Sequence, residues 1–192
     1  MMRRFIVGCG LALALAAGLF PAGAAAPTSF AGTWALDKAK SKDLPPQMEN
    51  VESYTLTVTQ DAQQLTADTK IKRNEAAGGE GGGPPGGGPG GGGMRRGGGM
   101  MGPANVTYKL DGSETTLDTG GRGTAAAKAE WQNGGKTLKL TTKRTFNFQG
   151  EERTLTTTEV WDLSADGKTL TIQRSSETPQ GARNSTLVFN KQ

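Results

Sequence analysis

From residue 51 onward, apolar side chains recur at every second position. Tyr54, Leu56 and Val58 alternate with Thr55, Thr57 and Thr59, and Leu65, Ala67, Thr69 and Ile71 alternate with Thr66, Asp68, Lys70 and Lys72. Val106, Tyr108 and Leu110 run the same way into the turn Asp111-Gly112-Ser113. Ala125, Ala127, Ala129 and Trp131 share one face opposite Ala126, Lys128 and Glu130. A period of two sends successive side chains to opposite faces of a strand, and the wealth of threonine and other β-branched residues favours that backbone. Further strands are predicted near 137–148, 153–163, 168–176 and 185–191. Between and around them stand Asn133-Gly134-Gly135, Gln149-Gly150-Glu151, Asp166-Gly167 and Pro179-Gln180-Gly181, all hairpin signals. No stretch carries a helical stripe, and only Leu44 to Val51 has room for one short turn.

A weak internal repeat supports the same organisation. Gly135-Lys136-Thr137-Leu138-Lys139-Leu140 recurs as Gly167-Lys168-Thr169-Leu170-Thr171-Ile172, each shortly after a tryptophan, Trp131 or Trp161. Two successive hairpins of one design predict an up-and-down meander. With roughly eight to ten such strands, closure into a barrel removes the exposed edges that would otherwise invite pairing with other chains. The expected fold class is therefore all-β, an antiparallel up-and-down β-barrel.

Two segments break the alternation. Met1-Met2-Arg3-Arg4, an apolar run from Phe5 to Phe20 and then Pro21-Ala22-Gly23-Ala24-Ala25-Ala26 have the layout of a secretory signal. Cleavage is expected after Ala24, and the run is too short for a comfortable membrane span. Cys9 follows Ile6-Val7-Gly8 in the manner of a lipoprotein box, but almost no apolar region precedes it. From Ala77 to Pro103 the chain is mostly glycine with scattered proline, methionine and arginine. Such a segment buries too little apolar surface to offset its ordering entropy and is expected to be a disordered loop. The expected organisation is a signal peptide over 1–24, N-terminal strands over 25–76, the loop over 77–103, and a meander over 104–192 completing the same barrel.

Composition removes several function classes. Loss of Arg3 and Arg4 with the leader leaves 20 basic against 18 acidic side chains, so the basic character is no nucleic-acid signature. One Arg95-Arg96 pair among glycines does not make an RNA-binding array. The single cysteine lies in the leader and histidine is absent, which excludes disulfides, thiolate and imidazole catalysis, and metal sites built on those ligands. Met94, Met100 and Met101 lack a regular ligand spacing for Cu(I). Asp111 with Glu114, and Glu159 with Asp162, are the available carboxylate pairs, and turn or surface roles account for them. Ser41 between Lys40 and Lys42 is the only local nucleophile candidate, and chain neighbours point in different directions. The reading is a non-enzymatic protein without a cofactor.

Phe30-x-Gly32-x-Trp34, the following Leu36-Asp37-Lys38-Ala39-Lys40-Ser41-Lys42, and Trp161-Asp162-Leu163-Ser164-Ala165-Asp166-Gly167-Lys168-Thr169-Leu170 resemble the lipocalin-like proteins of bacterial envelopes. The resemblance covers most of the mature chain apart from the glycine insert. It implies that Gly32 and Trp34 close the narrow end of the barrel. It further implies a cation from the last strands over the Trp34 ring, with Lys191 or Arg183 in position to supply it. No other lipocalin signature and no disulfide accompanies these motifs.

Strand register takes the argument inside. If Asp166-Gly167 is a two-residue turn, Leu163 faces Leu170, Trp161 faces Ile172 and Glu159 faces Arg174, so apolar meets apolar as register specification requires. The preceding hairpin is expected to set Leu138 in the row of Leu163, Leu140 beside Trp161, Thr142 beside Glu159, Arg144 beside Thr157 and Phe146 beside Leu155. Ala127 then falls near Thr142, and Ala125 near Arg144. The inward face is thus an apolar floor below a polar layer, capped by Phe146 and Leu155. Glu159 is expected to pair with one arginine, leaving the other to hold an anionic head group through its planar fork. The tail would lie against Trp161, Ile172 and Tyr108. The plainer alternative is a rim pair of Glu159 and Arg174 contributing about 0.2–1 kcal/mol with no ligand, and Arg144 lying over Trp34.

These readings converge on a periplasmic or secreted monomer binding a small apolar or amphipathic ligand, without nucleic acid or a membrane span in the mature chain. The candidate ligand-binding residues are Arg144, Arg174, Glu159, Thr142, Trp161, Tyr108 and Ile172. The alternative is a structural or interaction module of the envelope whose barrel is filled by its own side chains.

Overall fold

The computed structural model describes residues 26–49, 51–73, 104–121, 123–148, 150–178 and 181–192. The expected leader and the glycine-rich segment 77–103 lie outside the described residues. The elements follow as β1 (Gly32–Leu36), α1 (Pro46–Glu49), β2 (Val51–Gln60), β3 (Gln64–Arg73), β4 (Asn105–Lys109), β5 (Thr115–Leu117), β6 (Thr124–Gln132), β7 (Thr137–Phe148), β8 (Glu151–Leu163), β9 (Thr169–Thr178) and β10 (Gly181–Lys191).

All ten strands join one antiparallel sheet in the order β4-β3-β2-β1-β10-β9-β8-β7-β6-β5. Apart from the β1–β10 pairing, every ladder joins strands consecutive in the chain, with β4 and β5 left as the two edges, which is the up-and-down meander the hairpin signals predict. The sheet curls until β4 lies alongside β5 and β6. No hydrogen-bonded ladder joins β4 to either strand among the described residues, so the barrel is nearly closed rather than closed. A hydroxyl contact crosses the seam instead: Tyr108 Oη on β4 is 3.1 Å from Thr142 Oγ1 on β7. Ten strands exceed the eight of a lipocalin calyx.

The register expected at Asp166-Gly167 is the one formed. Leu163 pairs with Leu170, Trp161 with Ile172 and Glu159 with Arg174. Ala127 opposite Thr142 and Ala125 opposite Arg144 also stand as expected. The β7–β8 hairpin differs. Leu138 pairs with Trp161, Leu140 with Glu159, Thr142 with Thr157, Arg144 with Leu155 and Phe146 with Arg153, a slip of two residues from the expected register. The cause is the turn. Phe148 pairs with Glu151, so only two residues turn the corner, and Gly150 takes the positive φ of 86° that this needs. A slip of two conserves facing, which is why the same β7 and β8 residues still point inward. The short turn expected within Leu44–Val51 is α1, whose Met48 is fully buried.

One end of the barrel is packed solid. Trp34, Leu65, Leu138, Leu170, Leu187 and Phe189 have no exposed surface. The arm before β1 plugs this end with Phe30, also fully buried, stacked on Trp131 at 6.2 Å and edge-on to Trp161 at 5.8 Å. The arm is tied down by Thr28 N donating to the Gly135 carbonyl at 2.8 Å, and by the Gln60 side chain, which accepts from Phe30 N at 2.8 Å and donates to the Thr28 carbonyl at 3.0 Å. Each fully buried large side chain stabilises the fold by about 1.5–3 kcal/mol relative to an exposed one.

Candidate functional site

The closure implied by the Gly-x-Trp motif is present. Trp34 Nε1 donates to the Phe30 carbonyl at 3.0 Å, and the Lys191 ammonium stands 5.3 Å from the centroid of the Trp34 ring. Lys191 is the closing cation, and Trp34 is its partner in the β1–β10 ladder. Arg183 sits exposed near the opposite end of β10, and Arg144 lies away from Trp34, lining the cavity described next. Gly32 has φ +146° and a Cβ there would meet Lys191 Cε at 3.1 Å, so backbone and closing cation both call for glycine.

Above the plug the barrel holds a cavity of about 80 Å³ that communicates with solvent. It is lined by Thr142 and Arg144 of β7, Leu155, Thr157, Glu159 and Trp161 of β8, Ile172 and Arg174 of β9, and Tyr108 and Val106 of β4. Tyr54, Leu56, Ala67 and Thr69 of β2 and β3 complete the wall. All seven residues singled out from the sequence therefore line one cavity. The β2–β3 wall and Val106 were not singled out, although their alternation marks them as inward. Sequence alone carried no register across the segment between β3 and β4, nor across the seam. Phe146 differs from expectation. It is half-buried opposite Arg153 and lines a separate shallow cleft with Gly123 and Thr124, so Leu155 alone of the expected pair reaches the cavity.

Two strand switches position the polar groups. Along β8 the inward series runs Trp161, Glu159, Thr157, and along β9 it runs Ile172, Arg174. Glu159 Oε1 accepts from Arg174 Nε and Nη2, both at 2.7 Å, and Oε2 accepts from Trp161 Nε1 at 2.8 Å. The pair is 15% exposed on each side, so it is half-buried, and not the solvated rim contact considered from the sequence. Burial alone would lower the Arg174 pKa, but the Glu159 charge and the Tyr54 hydroxyl outweigh it and the value rises, keeping Arg174 cationic. Tyr108 is pushed up from the ordinary 10.0, first by burial and then by the negative Glu159, so it stays a neutral phenol able to bridge the seam.

Arg144 stands apart. It lines the same cavity, yet it has no hydrogen-bond or ion-pair partner among the described residues. Both Glu159 oxygens are engaged by Arg174 and Trp161, so among the described residues lining the cavity there is one ion pair and one guanidinium without a partner. An arginine in this state offers a planar donor fork to an incoming anion.

The acidic pairs considered from the sequence do not converge. Asp111 accepts from Ser113 N at 2.8 Å within its turn, while Asp162, on the outer face, accepts from Thr137 Oγ1 at 2.7 Å. Ser41 Oγ donates to the Asp37 carbonyl at 2.7 Å and accepts from Val188 N at 3.0 Å, tying the β1–α1 connection to β10. Among the described residues, no group of three or more Asp, Glu, Cys or His is placed to hold a metal ion.

No protein-family model matches the chain, and no curated protein matches it. Among solved structures, it is similar to zebrafish ileal bile acid-binding protein complexed with cholic acid, at 14% identity and a TM-score of 0.44. The likeness covers 85% of this chain and 98% of that one.

Proposed function

We propose that this is a non-catalytic, exported, lipocalin-like protein that binds a small amphipathic anion inside its barrel. The observation that carries the reading is Arg144: a guanidinium lining a solvent-connected cavity with no hydrogen-bond or ion-pair partner among the described residues, beside the Glu159–Arg174 ion pair. The head group meets Arg144, with the Thr142 and Thr157 hydroxyls nearby, and the apolar part meets Trp161, Ile172 and Val106. The leader-type segment supports export to the periplasm or cell exterior, where such a carrier or scavenger would act as a monomer.

Native mass spectrometry of protein purified from its own source, compared with the denatured mass, tests this. A displaceable anionic adduct is expected, and it should be absent from Arg144→Gln prepared in the same way. A bare mass for both, with the fold intact, would count against binding. A second reading, a structural envelope module, is favoured by the modest cavity and the solid packing below it. It predicts that native and denatured masses agree for both the parent protein and Arg144→Gln, and that the substitution leaves association with other envelope components unchanged.

A further inference from the structure

We infer that the ligand is a short straight-chain monocarboxylate, with the carboxylate on Arg144 and the chain ending against Trp161. This rests on the binding reading above and narrows it by size and charge. The size limit comes from the cavity, about 80 Å³. Sites for drug-sized ligands measure roughly 300–1,000 Å³, and a cavity of about 150 Å³ takes one benzene. The buried space therefore suits a chain of about three to five carbons whose carboxylate sits toward solvent.

The floor does not recede easily. Trp161 is 1% exposed, held in place by its Nε1 bond to Glu159 at 2.8 Å, and backed by Phe30 at 5.8 Å. Phe30 in turn is fixed by the Gln60 side chain through its backbone N–H at 2.8 Å. Lengthening the ligand means displacing a tied arm and a hydrogen-bonded indole together. The charge limit comes from the count of available cations. Glu159 neutralises Arg174, so among the described residues lining the cavity Arg144 alone remains; its single positive charge balances one negative charge, and its planar fork takes a carboxylate bidentately.

The test is calorimetric titration of the purified protein with acetate, propionate, butyrate, hexanoate, octanoate and dodecanoate, and with butanol as the uncharged control. Affinity should rise about fourfold per methylene up to butyrate or pentanoate length and then stop rising. Arg144→Gln should weaken butyrate at least about tenfold and leave butanol unchanged. Phe30→Leu should move the optimum to longer chains. If that variant does not fold, Ala67→Val, which narrows the cavity wall, should move it to shorter ones. A ladder that continues through dodecanoate would overturn the size limit and leave the binding reading standing. Butanol binding as tightly as butyrate would overturn the head-group assignment. Failure of every carboxylate to bind folded protein at millimolar concentration would overturn both this inference and the reading beneath it.

Discussion

The two halves of the barrel are built from the same strands by the same alternation, yet their inward residues differ in kind. Below, β7 contributes Leu138 and Leu140, β8 Trp161, β9 Leu170 and Ile172, and β10 Phe189 and Leu187, every one of them at most 1% exposed. Above, the same strands turn inward Thr142 and Arg144, Glu159 and Thr157, Arg174, and Ser185. The change falls at about the same height on four adjacent strands. An apolar lower half supplies the burial that holds the meander together. Above, the inward faces of β7 to β10 are polar and leave space beside Ala67, while Met48 and Val51 on the β2 side of that end are still fully buried. The packing that holds the fold and the proposed binding site are thus separated along the barrel axis, and substitutions in the two halves should report on different properties.

The largest expected effect lies in the packed half. Trp34→Ala removes a fully buried indole and its bond to the Phe30 carbonyl, and should cost about 3–5 kcal/mol in urea unfolding. Next is Glu159→Ala, which leaves a half-buried Arg174 without its carboxylate and frees Trp161 Nε1, at about 2–3 kcal/mol. Replacing both partners, as in Glu159→Leu with Arg174→Met, should recover most of that loss. If it does not, the pair is structural in its own right and the division between halves is less sharp.

Gly32→Ala comes next, at about 1–2 kcal/mol, because the residue must hold φ +146° and the added methyl presses on Lys191 Cε, which must shift by a few tenths of an ångström over Trp34. A fluorescence change of Trp34 in this variant would show that the closing cation has moved. A loss below a few tenths of a kcal/mol would mean the closure tolerates a Cβ.

The smallest effect concerns acid. Three turns at the packed end carry carboxylates held below their ordinary 3.8: Asp61 by the Gln63 and Gln64 N–H groups, Asp111 by Ser113, and Asp166 by the Ser164 hydroxyl and then Lys168 N–H. A depressed carboxylate stabilises fully above its unfolded value, and that contribution is lost as pH falls through the folded one. Unfolding midpoints should therefore hold near about pH 5 and slip below about pH 3.8, with amides of these turns gaining exchange first. Earlier exchange at the open end would break the comparison.

Much of this was legible in the residues. Alternation named nearly every inward side chain, and Asp166-Gly167 set the β8–β9 register. The same turn logic placed Glu159 against Arg174. The β7–β8 register was missed by two residues because Gln149-Gly150-Glu151 is compatible with more than one loop length, and pairing counts cannot separate registers of equal parity. The three-residue strand β5 had too few positions to show a period. Lys191 and Arg183 were equivalent as closing cations until the β1–β10 ladder set Lys191 opposite Trp34.

What the sequence determined by itself was the class of fold, the facing of its strands and the set of polar residues that share the interior. Those depend on local periodicity and turn chemistry, which act over a few residues. Tertiary structure alone decided that Glu159 spends both oxygens on Arg174 and Trp161, that Arg144 is left available, that Tyr108 and Thr142 meet across the seam, and that the cavity is small. Each of these depends on distances between residues brought together only when the sheet curls on itself. A pattern of period two specifies which way a side chain points, and not how far away its partner stands.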